Sequence, residues 1–362
     1  MCVADHQTIH IAGALVGQTL AGVVKSIRAD RSWNDARKLV QNRHVQVNGN
    51  LCLDPARKLT RGEVVRIWSF PQAKLPDASD VRILHVDEHL VVVDKPAGIT
   101  TLRHAEEQDW PSKRKSLQPT LDEILADLLP SRTASIKPPQ ADTRGQRGAH
   151  PIFGARSKPA KPPRPAPPQR FRARPLTIRP VHRLDRDTSG VMLFALSVLA
   201  EQSLVEAFKH HRIERAYRAV VHGHPSEQTI DTHLVRNRGD GLRGSTTLDP
   251  PPADAERAIT HIKPVETVGE YGIVESRLET GRTHQIRIHL SERGHMLCGE
   301  KIYRGPIDGP PTVDRSQAPR HALHAYAIGF THPATGKPMR FTSDWPADLK
   351  HWLTRLRDSA RR

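Results

Sequence analysis

The stretch Val181 to Leu196, VHRLDRDTSGVMLFAL, sets two carboxylates, Asp185 and Asp187, among Arg183 and Arg186, directly before an apolar run. A carboxylate beside a guanidinium is held as the anion, and can then act as a nucleophile or base without a cofactor. Residue type alone leaves the two aspartates indistinguishable, because an arginine-flanked D-x-D is also the pattern of a solvated turn or a pair of metal ligands. Two other segments add candidate groups: an isolated tyrosine, Tyr217, in IERAYRAVVHG, and an arginine, Arg287, in GRTHQIRIHL. Several chemistries lack their residues. There is no G-x-G-x-x-G, and ATGKP places Pro338 after Lys337, where a phosphate-binding loop needs Ser or Thr. No G-x-S-x-G, C-x-x-C or H-E-x-x-H occurs, so neither a cofactor nor a metal is expected.

The elements that must position these groups can be read from periodicity. VRILHVDEHLVVVDKPAG predicts two strands about a turn at Asp87 and Glu88, closing on a Lys95-Pro96-Ala97-Gly98 loop. PTLDEILADLLP predicts a helix with Leu121, Ile124, Leu125 and Leu128 on one side, and Thr120 with Glu123 in the capping-box pattern. Behind the aspartates lies a strand from Val191 to Leu196, then a helix in LAEQSLVEAFKHH with Leu199, Leu204, Ala207 and Phe208 on one side. Asp187 and Thr188 read as shaping the turn. IERAYRAVVHG and YGIVESRLET predict strands, HALHAYAIGFTHPATGKPMRFTSDWP two more, and PADLKHWLTRLR a helix with Leu349, Trp352, Leu353 and Leu356 on one face. GRTHQIR reads as a glycine turn opening a polar, basic segment. Strands outnumber helices without regular alternation, so the expected class is α+β: a larger domain with a mixed, mostly antiparallel sheet flanked by helices, plus a small α/β N-terminal domain.

That N-terminal unit spans residues 17 to 68. Leu20, Val23, Val24 and Ile27, then Ala36, Leu39 and Val40, fall at helical spacing; Val45 to Val47 and Val64 to Ile67 read as strands, with a turn at Asn48-Gly49. Arg28, Arg31, Arg37, Lys38 and Arg43 lie on or beside the two helices and can meet phosphates. The order helix, helix, VQVNG, LTRGEVVRI resembles the small RNA-binding domain first described in a small-subunit ribosomal protein. The whole chain carries 55 Lys and Arg against 39 Asp and Glu, a net charge of +16, so a polyanion is the first partner to consider. Residues 131 to 176 hold 10 prolines and 11 Lys or Arg against one Asp, and read as a disordered basic insertion, either an RNA tether or a tolerated surface insertion. No run of about 18 apolar residues is present to span a bilayer, and the chain's start lacks the pattern of a signal peptide. Three scattered cysteines, Cys2, Cys52 and Cys298, fit a reducing, cytoplasmic setting. The boundaries expected are 1–75, a small RNA-binding domain; 76–350, a catalytic domain; and 351–362, a basic tail.

HRLDRDTSG, IERAYRAVVHG and GRTHQIRIHL, in this order and after VVVDKPAG, resemble the RluA-type pseudouridine synthases over roughly residues 81 to 350. The resemblance implies isomerisation of uridine in RNA, large-subunit ribosomal RNA first and transfer RNA second, by an enzyme expected to be a monomer away from membranes. It assigns Asp185 the reactive carboxylate, Arg287 its partner, and Tyr217 the place against a flipped uracil. It further implies a substrate role for His182, Arg183, Leu184, Thr188, Arg282, His284, Gln285 and Leu323. Extruding a uridine costs a few kcal/mol, and the freed base must stay dry, for which Leu184, Val191, Ile286 and Leu323 are candidate walls. Asp185 is left with three roles: attack on the anomeric carbon, removal of a sugar proton, or attack on the uracil ring. Gly299-Glu300 stands where the family has Gly-Asp, and Met296 where proline is common; both positions are read as outside the catalytic set. The alternative is a non-catalytic RNA-binding or ribosome-assembly factor that keeps the fold.

Overall fold

The computed structural model describes residues 6–48, 50–69, 71, 76–103, 107–129, 176–306 and 309–361. The basic insertion expected over 131–176 lies outside the described residues, save Leu176, as does Gly49 of the expected Asn-Gly turn.

The N-terminal unit is built by strong local signals. Thr19 caps helix α1 (Leu20–Ile27), its hydroxyl accepting from the Gly22 N–H at 3.1 Å. Ser32 and Asp35 close a capping box on α2 (Trp33–Gln41). The helices lie on a sheet of β1 (His6–His10), β2 (Val45–Val47), β3 (Asn50–Leu51) and β4 (Val64–Trp68), in the order β1-β4-β2-β3. Strand β1 carries only one buried residue in its pattern, Ile9, so an N-terminal edge strand is not visible in the sequence. Leu20, Val23, Val24, Ala36, Val40, Val45, Val65 and Ile67 form a separate core under the two helices.

The larger sheet has 11 strands among the described residues. Its elements in chain order are β5 (Arg82–Val86), β6 (Leu90–Lys95), α3 (Ser112–Lys115), α4 (Leu121–Leu128), β7 (Arg179–Pro180), β8 (Ser189–Ala195), α5 (Val198–Lys209), β9 (Glu214–His222), β10 (Gln228–Val235), β11 (Gly244–Thr246), β12 (Glu256–Val268), β13 (Tyr271–Leu278), α6 (Gln285–Glu292), β14 (Leu323–Thr331), β15 (Pro338–Thr342) and α7 (Ala347–Ala360). The strand path runs β11-β10-β12-β13-β9-β14-β8-β6-β5. All its pairings are antiparallel except β14 with β8, which makes the sheet mixed and mostly antiparallel as expected. β8 is buried along its whole length, and its two faces feed two cores. Met192 and Phe194 pack with Leu184, Tyr217 and Leu323 on the site side; Val191, Leu193 and Ala195 pack toward α5 on the other.

Four expectations change, the first being Leu128 of α4, which is exposed and does not join Leu121, Ile124 and Leu125 in the core. Leu199 does not join the buried side of α5; it is exposed, and Ala200 with Leu204 takes that place. The polar, basic segment that the GRTHQIR turn opens is a helix, α6, which its residue pattern does not signal. Residues 351–360, read as the start of a basic tail, are the last turns of α7, with Trp352 and Leu353 buried against β9 and β13 residues.

Candidate active site

The chain leaves β7, makes the turn that carries Asp185, and enters β8 where that strand runs parallel to β14. The approach there is close: Gly190 has φ +118°, and a Cβ on it would lie 2.1 Å from the Ala325 carbonyl oxygen. Only glycine satisfies both demands. The turn itself closes with the Thr188 N–H donating to the Asp185 carbonyl at 3.1 Å.

The Lys95-Pro96-Ala97-Gly98 loop holds this turn from behind. Lys95 is fully buried, and its Nζ donates to the carbonyls of Pro96, Arg186 and Thr188 at 3.0, 2.9 and 2.8 Å. Burial, opposed by the charge of Asp187, brings its pKa down to about 7. The Gly98 N–H donates to the Arg186 carbonyl, and Arg186 Nε returns a bond to the Gly98 carbonyl. Thr101 adds a bond to the Leu184 carbonyl at 2.8 Å. From the far side the buried Arg320 donates to the Asp187 carbonyl and the Ser189 hydroxyl while paired with Asp348 of α7 at 2.7 Å.

Arg287 reaches the site from α6, whose first seven residues are all buried. Its Nη1 donates to Asp185 Oδ2 at 3.1 Å. The rest of its guanidinium is gripped by Glu300, at 2.7 Å from Nε and 2.8 Å from Nη2. Burial works against the charge on Arg287, but Glu300 first and Asp185 second more than offset it and raise its pKa above the ordinary arginine range. Burial works against Glu300 as well, and Arg287 with the N–H groups of Lys301 and Ile302 brings its carboxyl below the usual range. One guanidinium thus bridges a fully buried carboxylate and a quarter-exposed one, 1% against 24% exposed. Glu300 aims the arginine, and Asp185 keeps open room for a reactant.

Asp185 faces a cavity of about 850 Å³ lined by Arg183, Leu184, Tyr217, Ile259, Leu278, Ile286 and Leu323 among others. Tyr217 comes from mid-β9, and burial pushes its phenol pKa up. His284, at φ +60° before α6, bonds the Tyr303 hydroxyl at 2.7 Å and sets Nε2 3.8 Å from Asp185 Oδ1. Burial lowers its pKa, with Asp185 pulling the other way.

The expected site residues divide. Asp185, Arg287 and Tyr217 are brought together, and Arg183, Leu184, His284 and Leu323 line the same cavity. His182 and Gln285 also touch its wall but have other partners. His182 Nε2 accepts from the Leu193 N–H at 3.0 Å, the ring stacks on Phe208, and burial with Arg215 nearby holds its pKa at about 3. Gln285 directs its amide to Ile259, Thr260, Thr280 and Arg282. Thr188 bonds His321 at 3.0 Å, and Arg282 pairs with Glu256 at the rim at 2.8 Å. Val191 faces the α5 side and is no wall of the cavity. Glu300 has no place in the set expected from the motifs, yet its bidentate pair with Arg287 makes it the residue that positions that arginine. In the N-terminal unit, Arg31, Arg37 and Lys38 are exposed on or beside α2, with Arg28 and Arg43 half-exposed at the ends of α1 and α2, and none of the five lines the cavity.

Comparison with known proteins decides between chemistries that this geometry permits. Residues 154–292 match the RNA pseudouridylate synthase family, and residues 20–65 match the S4 domain. The chain belongs to the RNA pseudouridylate synthase family. As an RNA pseudouridine synthase it catalyses an isomerisation, and its S4 domain accounts for the small N-terminal fold. It is 28% identical over 352 residues to the ribosomal large subunit pseudouridine synthase D of Neisseria meningitidis serogroup A, covering 95% of this synthase and 80% of that one. An uncharacterized RNA pseudouridine synthase of Chloroflexus aurantiacus is 40% identical over 181 residues, half of this chain and 54% of the relative. The solved human RNA Pseudouridylate Synthase Domain Containing 1 shares the fold, with a TM-score of 0.50 and 21% identity over 80% of this synthase and 98% of that chain. Among the described residues no group of three or more His, Cys, Asp or Glu is placed to hold a metal ion, and no helix is long and apolar enough to cross a membrane.

Proposed function

We propose that this synthase acts on uridines of large-subunit ribosomal RNA, with Asp185 as the reactive carboxylate, Arg287 its counter-ion and Tyr217 the face against which the extruded uracil stacks. The observation that carries the assignment is the Asp185–Arg287–Glu300 array at the floor of the cavity. Breaking the bond from sugar to nitrogen builds positive character on the sugar, and a carboxylate beside it stabilises that charge, as in glycoside hydrolysis. Arg287 fixes the orientation of Asp185, while Glu300 neutralises the arginine so that Asp185 carries the net negative charge of the array. Leu184, Ile286, Leu323 and Ile259 give apolar walls around the detached base, which limits its loss to water before it rotates and rejoins through carbon.

Stacking and phosphate contacts offset the unstacking cost of the flipped nucleotide. The cations of the S4 domain, exposed Arg31, Arg37 and Lys38 with half-exposed Arg28 and Arg43, are proposed to hold RNA outside the cavity. Residues 76 onward then form the catalytic unit, α7 included. The rRNA assignment follows the Neisseria relative's name, and its length match of 80% supports the transfer. The test is in vitro modification of 23S-type ribosomal RNA and of transfer RNA side by side: new pseudouridine in the ribosomal transcript is expected, and modification of transfer RNA alone would overturn the assignment.

A further inference from the structure

Five guanidinium groups line the cavity, and Arg183, which is exposed, has water to balance its charge; the other four can be asked what balances theirs. Arg257 pairs with Asp231 at 2.6 Å, Arg282 with Glu256, and Arg287 with both Glu300 and Asp185. Arg215 differs. It is only 9% exposed and lines the cavity, yet no carboxylate pairs with it among the described residues. Its Nη2 donates to two carbonyls, Leu278 at 3.3 Å and Glu279 at 2.6 Å, and its plane sits 5.5 Å from the centroid of Phe208. Its Nε is buried without a partner. Carbonyls and an aromatic ring orient a cation but do not neutralise it, and burying an uncompensated charge is costly.

The surroundings keep this guanidinium accessible from one side. Gly281, at the start of GRTHQIR, would place a Cβ 2.6 Å from Arg215 Nη1, so the absence of a side chain there leaves that nitrogen its room. Arg183, Lys209 and His211 line the same cavity. Arg215 and Tyr217 stand two residues apart on β9, so they face the same side of the sheet, roughly 7 Å apart. That is about the reach from a nucleotide's base to its own phosphate.

Resting on the reading that the uracil lies against Tyr217, we propose that Arg215 is the seat of a backbone phosphodiester of the bound RNA, within one nucleotide of the target uridine. The planar fork offers parallel N–H groups to two phosphate oxygens, which a lysine would not match. Burial already lowers the pKa of Arg215 in the free protein, and the incoming anion supplies the charge it lacks.

The test uses the full chain and a ribosomal RNA fragment in which it forms pseudouridine, synthesised with single neutral methylphosphonate linkages around the target. One such linkage within a nucleotide of the target should weaken binding by wild type about 10-fold. The same linkage should cost Arg215→Gln less than about twofold, and the variant's salt slope should be shallower by roughly 0.7. Arg215→Lys should keep that slope. Independent, multiplicative effects of the linkage and of Arg215→Gln would overturn the proposal, as would a wild-type scan in which no neighbouring linkage matters. If the glutamine variant unfolds, Arg215→Lys takes its place: having lost the bidentate fork, it should be weakened less than wild type by the same linkage, and an equal loss would overturn the proposal. An RNA that is bound but never isomerised would sink the reading of the cavity itself, and this proposal with it.

Discussion

Arg287 carries three contacts with two carboxylates, and that sharing decides how the site works. Removing the charge of Glu300 leaves the guanidinium to turn toward Asp185 and unfixes both. Glu300→Gln should therefore lower kcat/KM by about 10- to 100-fold, the scale of one charge-assisted hydrogen bond, measured by tritium release from uridine-labelled RNA. The same pair sets a pH dependence. Glu300 has a folded pKa below its unfolded value, so the stability it contributes is fully present above about pH 4.3 and is lost as pH falls through the folded value. Urea unfolding of wild type against Glu300→Gln should converge as the pH drops below about 4; a gap that stays constant to pH 3 would contradict the pairing. At this scale the sequence is legible only in part. Asp185 and Asp187 are chemically alike in it, and the resemblance alone separates them. His182 and Gln285 look like substrate ligands because a polar residue in a motif shows no sign of whether its partner is a substrate or, as here, the backbone of β8 and β12.

The elements that hold the site are loops backed by buried polar groups, and these are harder to read than strands. β8 announces itself as a continuous apolar run, and β9, β13, β14 and α7 by strand or helical patterning. α6 does not, since Gln285, Arg287 and His289 are buried and polar, each satisfied by a partner, and the helix shows no apolar stripe to betray it. The backbone crossing at Gly190 is likewise visible only in three dimensions. Gly190→Ala must absorb a strained φ and an approach of 2.1 Å to the Ala325 carbonyl. Backbone strain and overpacking at about 1–3 kcal/mol each predict a loss of roughly 3 kcal/mol or more in urea unfolding, together with loss of activity, because Asp185 sits five residues upstream. A variant as stable as wild type would show that the parallel pairing of β8 with β14 is not required.

Over the whole molecule, a charge of +16 forecasts a polyanionic partner, and the S4 match agrees. The α+β class and the mostly antiparallel sheet follow from strands that outnumber helices, but the order of strands does not, because β14 reaches β8 from far along the chain. Arg37→Ala with Lys38→Ala, both exposed on α2, should reduce the salt slope of RNA affinity by roughly 0.7 to 0.9 for each phosphate that the variant no longer neutralises, while leaving the fold intact. An unchanged slope would exclude the α2 face from RNA binding. The central claim is that Asp185 is the reactive carboxylate of an RNA uridine isomerase. Its most direct test maps pseudouridine in ribosomal RNA by carbodiimide adduct stops after incubation with each protein: wild type should give new stops and folded Asp185→Asn none, whereas stops of equal strength from both would contradict the account.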